Sequence, residues 1–376
     1  MAERPEYSPG LAGVIAGESA ISRIDFEANR LIVRGYDLVE ITRRAVFEEV
    51  AWLLLYGELP TAAQLGGFQD RLRAERGLPP AVEELLRRTP AEAQSMAVLR
   101  SAVSALGVTD PEARDISRDA TLRKAERLLA KVPTILTSAH RCANGLEPVP
   151  PDPELGHAAN LLYMVDGRRP QEHAVRAVDV ALMLYSEHGF NASSFAARVA
   201  ASTLADLHAA VTAGIAALMG PLHGGANEAA MEMMLEIGET ERARAWVLEA
   251  LAQKQKIMGF GHREYKSGDS RVPAVTEEGR RVAAATGESR WQRIADAVEA
   301  TMLSEKGIFP NVDFPVAWTF YTMGVPIPLY TPIFVASRVA GWAAHVVEQQ
   351  ESNRLIRPNH IYTGPGDRPF PPLADR

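Results

Sequence analysis

A mainly α-helical fold with one small N-terminal β-hairpin is predicted by three features of this 376-residue chain. Apolar side chains recur at three- and four-residue spacing through most of it, opened by capping residues and closed by glycines. Two-residue alternation is confined to positions 24–33. No internal repeat or low-complexity tract is present.

The hairpin comes first: Ile24 and Phe26 precede Glu27-Ala-Asn-Arg30, and Leu31 and Val33 follow, giving alternation around a turn. Val46, Phe47, Val50, Leu53 and Leu54 then form an apolar helical stripe before Gly57, a residue suited to a helix C-terminus. Thr61-Ala-Ala-Gln64 reads as a capping box. Thr89-Pro90-Ala-Glu92 reads as an N-cap followed by proline at the first helical position, with Gly107 closing that helix. The stretch 145–156, with Pro148, Pro150, Pro151 and Pro153, reads as a loop. Helical patterns resume over 171–187, 195–219, 228–237, 243–251, 291–303 and 332–350.

Length suits about two domains of ~150 residues, and 47% hydrophobic content supplies substantial cores. A net charge of −7 argues against a general nucleic-acid binder, which needs a basic face, but not against an anionic substrate. Cys142 is the single cysteine, so no intrachain disulfide forms, which fits a reducing compartment; as a thiol it reads as a small packing side chain. The first residues lack the apolar core of a signal peptide, and no window reaches ~18 uninterrupted apolar residues. A cytoplasmic protein without membrane association is expected.

Three segments carry the chemistry. Gly220-Pro-Leu-His223-Gly-Gly-Ala-Asn227, Gly259-Phe-Gly-His262-Arg-Glu-Tyr-Lys266 and Pro310-Asn-Val-Asp313-Phe-Pro315 each set one acid/base side chain among glycines or prolines. Such settings aim a side chain from a loop, and two histidines with a carboxylate suit proton transfer. The plainer readings are Asp313 as a turn or N-cap residue, and His223 as a packing or capping histidine. Gly-Phe-Gly is not the dinucleotide fingerprint, since the third glycine and the preceding strand are missing. Met231, Met233 and Met234 read as core filling. Lys256, Arg263 and Lys266 form a basic cluster suited to phosphates or simply to solvent. No His-x-x-x-His or paired Cys/His spacing supports a metal site.

Together with Arg271 in Gly-Asp-Ser-Arg-Val-Pro, Arg338 in Ala-Ser-Arg-Val-Ala-Gly-Trp and Arg357 in Leu-Ile-Arg-Pro, these segments resemble the active site of the citrate synthase family, which includes 2-methylcitrate synthases. The likeness runs from Gly-Leu-Ala-Gly-Val at 10–14 through Arg357-Pro358. It implies a large helical domain, 1–219 plus 327–376, a small helical domain, 220–326, and a homodimer with the site in the interdomain cleft. The implied reaction condenses acetyl-CoA with oxaloacetate and hydrolyses citryl-CoA to citrate and CoA. Asp313 would be the base, His223 would stabilise the enolate and His262 would polarise the ketone. His188, Arg271, Arg338 and Arg357 would bind oxaloacetate, Arg357 from the neighbouring subunit, since arginine forks match carboxylates. Ile257, Met258, Gly259, Phe260 and Gly261 would meet CoA. No cofactor would be permanently bound, acyl-CoA serving as cosubstrate.

The wording around Arg271 and Arg338 is especially similar to methylcitrate-type bacterial members, which makes propionyl-CoA the alternative substrate. Glu264 and Ser270 depart from the small apolar residue and the proline common in the family, which bears on the approach of CoA. A citrate-cleaving lyase is disfavoured, because an ATP-dependent one would need extra ligase domains. A catalytically silent helical interaction protein predicts no need for Asp313, and a metalloenzyme predicts loss of turnover on chelation.

Overall fold

The computed structural model describes residues 7–262, 265 and 268–376. Arg263, Glu264 and Lys266, singled out above, lie outside the described residues. The N-terminal alternation forms the expected hairpin, β1 (Ser22–Asp25) against β2 (Arg30–Val33), with Ser22 opposite Val33 and Asp25 opposite Arg30. A short third strand, β3 (Tyr36–Asp37), extends it antiparallel to β2. Asp37 then caps α1 (Leu38–Thr42), accepting from the backbone N–H groups of Val39 and Glu40.

The apolar stripe forms α2 (Phe47–Tyr56), closed by Gly57 at φ 91°, a left-handed cap that favours glycine. Thr61 and Gln64 make the reciprocal capping box of α3 (Ala62–Ala74): the Gln64 N–H donates to the Thr61 hydroxyl, and the Thr61 N–H donates to Gln64 Oε1 at 2.8 Å. After α4 (Pro80–Arg88) the expected N-cap at Thr89 is not formed. Thr89 terminates α4 instead, its hydroxyl donating to the Leu85 carbonyl at 2.8 Å, and α5 (Ser95–Thr109) starts only after a turn. Gly107 lies inside α5 rather than at its end. A Cβ there would lie 2.9 Å from the His208 side chain, so the glycine permits a close helix crossing.

The longest element, α6 (Arg118–Ala143), has no counterpart in the sequence reading. Its inward side chains include Lys124 and Glu126, which dilute the apolar stripe. Each is paired: Lys124 donates to the Ala113 and Asp115 carbonyls, and Glu126 accepts both arms of Arg71. The expected loop at 145–156 leads into α7 (His157–Asp166) and α8 (Glu172–Tyr185). The pattern over 195–219 is two helices, α9 (Ala192–Ser202) and α10 (Leu207–Leu218). Leu204 at φ 67° breaks it, and Asp206 recaps the second helix by accepting from the Ala209 N–H.

The remaining helices are α11 (Ala226–Ile237), α12 (Thr240–Ala252), α13 (Val272–Thr286), α14 (Arg290–Lys306), α15 (Asp313–Thr322) and α16 (Tyr330–Glu351). Residues 330–347 of α16 are buried on every face, so this helix is the axis on which α2, α6, α8, α9 and α10 pack. Its Trp342 is fully buried against Gly214 of α10, where a Cβ would lie 2.9 Å from the indole. Truncation of Trp342 to alanine would cost about 3–5 kcal/mol. Helices α11 to α15 pack on one another and meet the rest through α8 and α16. No helix among the described residues is long and apolar enough to cross a membrane.

Candidate active site

Two of the three motif segments are hydrogen-bonded to each other. Phe260 and Pro310 form an antiparallel bridge; the Gly261 N–H donates to the Phe309 carbonyl at 2.9 Å, and the Asn311 N–H to the Gly259 carbonyl at 2.8 Å. The Asn311 side chain adds a bond to the Gly261 carbonyl at 3.0 Å. Gly259 and Gly261 take φ 81° and 80°, and a Cβ on Gly259 would lie 2.8 Å from Phe314 Cβ. These glycines therefore let one loop lie against the next. Of the residues singled out for CoA, Ile257 is buried, and Met258 and Phe260 are half-buried against the core.

That pairing delivers Asp313 as the first residue of α15. Its N–H donates to Asn311 Oδ1 at 3.1 Å, and its carboxylate caps nothing; Oδ1 instead accepts from the Tyr185 hydroxyl at 2.7 Å. Burial pushes the Asp313 carboxyl up to about 6, against the opposing pulls of the Tyr185 hydrogen bond and of Arg271.

Backbone donors decide the tautomers of both motif histidines. The Ser193 N–H donates to His223 Nε2 at 3.2 Å, and the Ser193 hydroxyl lies 2.9 Å from the same nitrogen; because a backbone N–H can only donate, the neutral ring is assigned its proton on Nδ1. The helix terminus touching this ring is that of α9, although His223 precedes α11 in sequence. Ser193 is held in turn by Asn191 at 2.8 Å and by the Trp342 indole at 3.2 Å. Burial, aided by Arg338, pushes His223 down to about 4, so it is neutral at pH 7. In His262 the Tyr265 N–H donates to Nδ1 at 3.3 Å, which leaves the proton of the neutral ring on Nε2. His188 is buried with its ring centroid 5.0 Å from that of His262; burial first, then Arg271, His262 and Arg338, hold it well below the usual histidine range.

The arginines differ in setting. Arg338 is fully buried, its Nε donating to the Tyr185 carbonyl at 2.6 Å and its guanidinium lying 4.7 Å from the Phe334 ring centroid. Burial lowers it to about 10. Among the described residues, Arg338 Nη1 and His188 Nε2 are buried without a hydrogen-bond partner. Unsatisfied buried polar atoms near one another are a place for a polar ligand, and an anion suits the guanidinium. Arg271 is also buried, with its Nε and Nη2 on Asp269 at 2.9 and 2.8 Å. Arg357 stands apart from this cluster, exposed on the non-helical segment after α16. Among the described residues no group of three or more His, Cys, Asp or Glu side chains could hold a metal ion.

Residues 10–359 match the family model described as citrate synthase, C-terminal domain. The chain belongs to the citrate synthase family. It is accordingly a transferase enzyme of that family, with the mainly helical fold its solved members share. A 2-methylcitrate synthase of Mycobacterium tuberculosis is 46% identical over 98% of this chain and 93% of its own length. A citrate synthase of Mycolicibacterium smegmatis is 45% identical over 97% of each chain. The structure of a Thermoplasma acidophilum citrate synthase in ternary complex with carboxymethyl coenzyme A and oxaloacetate superposes with a TM-score of 0.93 at 32% identity, covering 99% of this chain and all of that one.

Three side chains of this candidate site were not singled out by sequence. Tyr185 looks like one more apolar-helix residue, Ser193 like a helix-start serine, and Asp269 like a turn residue. The available signal was adjacency alone: Asp269 lies inside the Gly-Asp-Ser-Arg motif, and Ser193 stands two residues after Asn191, which caps α9 by accepting from the Ser194 N–H.

Proposed function

We propose that this protein condenses acetyl-CoA with oxaloacetate and hydrolyses the resulting citryl-CoA to citrate and CoA. The observation that carries this reading is a buried carboxyl raised to about 6, with Arg338 acting on both it and His223, beside two histidines each held by a backbone donor. The acyl methyl proton is weakly acidic, so its removal needs a desolvated base and immediate stabilisation of the enolate. Asp313 accepts the proton. His223 Nδ1–H donates to the thioester oxygen, where negative charge develops, and His262 Nε2–H donates to the oxaloacetate ketone and protonates the new alkoxide. Arg338, Arg271 and His188 hold the oxaloacetate carboxylates and carbonyl, and the 257–261 segment lies along CoA. Hydrolysis of the thioester then releases both products.

Residues 1–219 with 327–376 form the large domain and 220–326 the small one, the two closing when oxaloacetate binds so that the reactive intermediates are kept from bulk water. The protein acts as a cytoplasmic homodimer in the tricarboxylic acid cycle, with Arg357 reaching into the neighbouring subunit's site. The exposure of Arg357 away from its own cluster supports this. The alternative acyl donor is propionyl-CoA, giving 2-methylcitrate. Relatives bearing the two names match this chain at 46% and 45% identity, and one methylene in an apolar pocket is worth only ~1–3 kcal/mol.

The test is thiol release from acetyl-CoA and from propionyl-CoA, each with and without oxaloacetate, beside an Asp313→Asn control. Oxaloacetate-dependent release lost in the control is expected, with kcat/KM higher for acetyl-CoA. A higher value for propionyl-CoA selects the alternative, and no release from either abandons the condensation.

A further inference from the structure

We propose that Asp269 is a positioning residue that couples oxaloacetate capture to placement of the base, one carboxylate holding Arg271 and the backbone of the Asp313 loop together. Oδ1 accepts from the Arg271 N–H at 3.1 Å and from Arg271 Nε at 2.9 Å; Oδ2 accepts from Arg271 Nη2 at 2.8 Å and from the Val312 N–H at 3.1 Å. Four donors fill the acceptor capacity of a carboxylate. The side chain of Asp269 is 0% exposed, so water does not substitute for any of these bonds.

The arrangement does two things at once. It grips Arg271 along its Nε–Nη2 edge, leaving Nη1, which donates to the Leu184 carbonyl at a marginal 3.5 Å, as the end offered to a ligand. It also pins the residue that precedes Asp313, although 269 and 313 are far apart in sequence. The turn holding it is closed by the Val272 N–H on the Asp269 carbonyl at 3.1 Å, at the start of α13, so Asp269 sits on a helix end rather than on a free loop. A buried guanidinium without its counter-ion would be strongly destabilised, so the same contact keeps Arg271 in the site before substrate arrives. A shift of Arg271 as it takes up a carboxylate is transmitted through Asp269 to Val312 and hence to Asp313. Among the described residues, the charged and titratable groups acting most on Asp313 are Tyr185 on α8, Asp269 and Arg271 ahead of α13, and Arg338 on α16.

This inference rests on the condensation proposed above, and the experiment separates the two. In Asp269→Asn the amide oxygen still accepts from Val312, but the amide nitrogen accepts nothing from Arg271. The expected result is a KM for oxaloacetate raised roughly tenfold or more, with KM for acyl-CoA held within about twofold. The acid limb of kcat moves to lower pH, because a negative charge beside Asp313 has gone and Arg271 is unmasked. If this variant fails to melt cooperatively, Asp269→Ala is assayed with added formate or formamide, and oxaloacetate-dependent thiol release restored by formate alone supports the proposal. Wild-type kinetics and an unmoved acid limb in Asp269→Asn overturn it. So does an equal loss for both substrates, absence of formate rescue, or failure of both variants to fold, each of which leaves Asp269 a purely structural residue. If the unmutated protein shows no oxaloacetate-dependent release, the condensation itself falls, and this inference with it.

Discussion

The Tyr185 hydroxyl donates to Asp313 Oδ1 at 2.7 Å, joining the last residue of α8 to the first of α15. The same tyrosine stacks on Phe334 with ring centroids 4.2 Å apart, and its carbonyl accepts from Arg338 Nε. Donation to the carboxylate favours its ionised form, so Tyr185 opposes the upward push of burial. Tyr185→Phe keeps the stack and removes the donor. The acid limb of kcat/KM is expected to move to higher pH, with activity near pH 6 falling severalfold; a limb that stays put or moves down refutes this balance.

Asp313 should cost stability where it serves catalysis. Its folded value, about 6, stands above the ordinary 3.8. Well below the ordinary value both states are protonated and there is no cost. Between the two values the unfolded carboxyl ionises first, so stability falls as pH rises, and above about pH 6 the cost is constant, on the order of 2–3 kcal/mol. Asp313→Asn should therefore melt higher than the wild type at pH 7.5, the difference shrinking as pH falls and vanishing near about pH 3, while kcat drops by about 10²–10⁴. Equal melting temperatures at pH 7.5 would contradict the burial of an ionised carboxylate.

His223 should not titrate near neutrality. With its value pushed down to about 4 and Nε2 accepting from the Ser193 N–H, its imidazole should give the nitrogen shifts of the Nδ1–H tautomer from pH 5 to 8. Removal of the ring in His223→Ala should lower kcat about 10²–10³-fold, as for loss of a preorganised donor to a developing oxyanion. A protonation midpoint above pH 6 would sink the neutral-donor role.

Gly341 offers a test at one remove from the chemistry. A Cβ there would collide with the Ser186 carbonyl and lie 2.6 Å from Glu187 Oε2. Glu187 is buried, accepting from Ser22 at 2.8 Å and from the Gly189 N–H at 2.6 Å and facing His345 at 3.0 Å, so the His188 loop has little room to give. Gly341→Ala should cost about 1–3 kcal/mol and raise KM for oxaloacetate more than KM for acyl-CoA. Equal effects on the two substrates would show that the loop does not serve oxaloacetate.

The elements legible in the sequence are those whose determinants are local. Gly57 and the Thr61–Gln64 box mark helix ends through contacts spanning a few residues, and the 24–33 alternation needs only its own turn. The three motif segments were equally visible, because glycines and prolines around a single acid or base survive as a linear pattern. Local signals failed where a distant partner satisfies the chain. The buried Lys124 and Glu126 of α6 hide its apolar stripe until the Ala113 and Asp115 carbonyls and Arg71 are in place. The break at Leu204 interrupts an apolar run that is continuous in sequence, and Thr89 serves the helix before it rather than the one after.

By itself the sequence determined the helical class and singled out Asp313, His223, His262 and the arginines as candidate acid, base and cationic side chains. Only the tertiary structure decided that Tyr185 sets the carboxyl of Asp313, that the Ser193 and Tyr265 backbone amides assign the protons of His223 and His262, and that Asp269 shares one carboxylate between Arg271 and the base loop. The physical reason is that proton location and pKa depend on burial and on donors within about 3 Å, and these are brought together by packing from segments the linear order keeps apart.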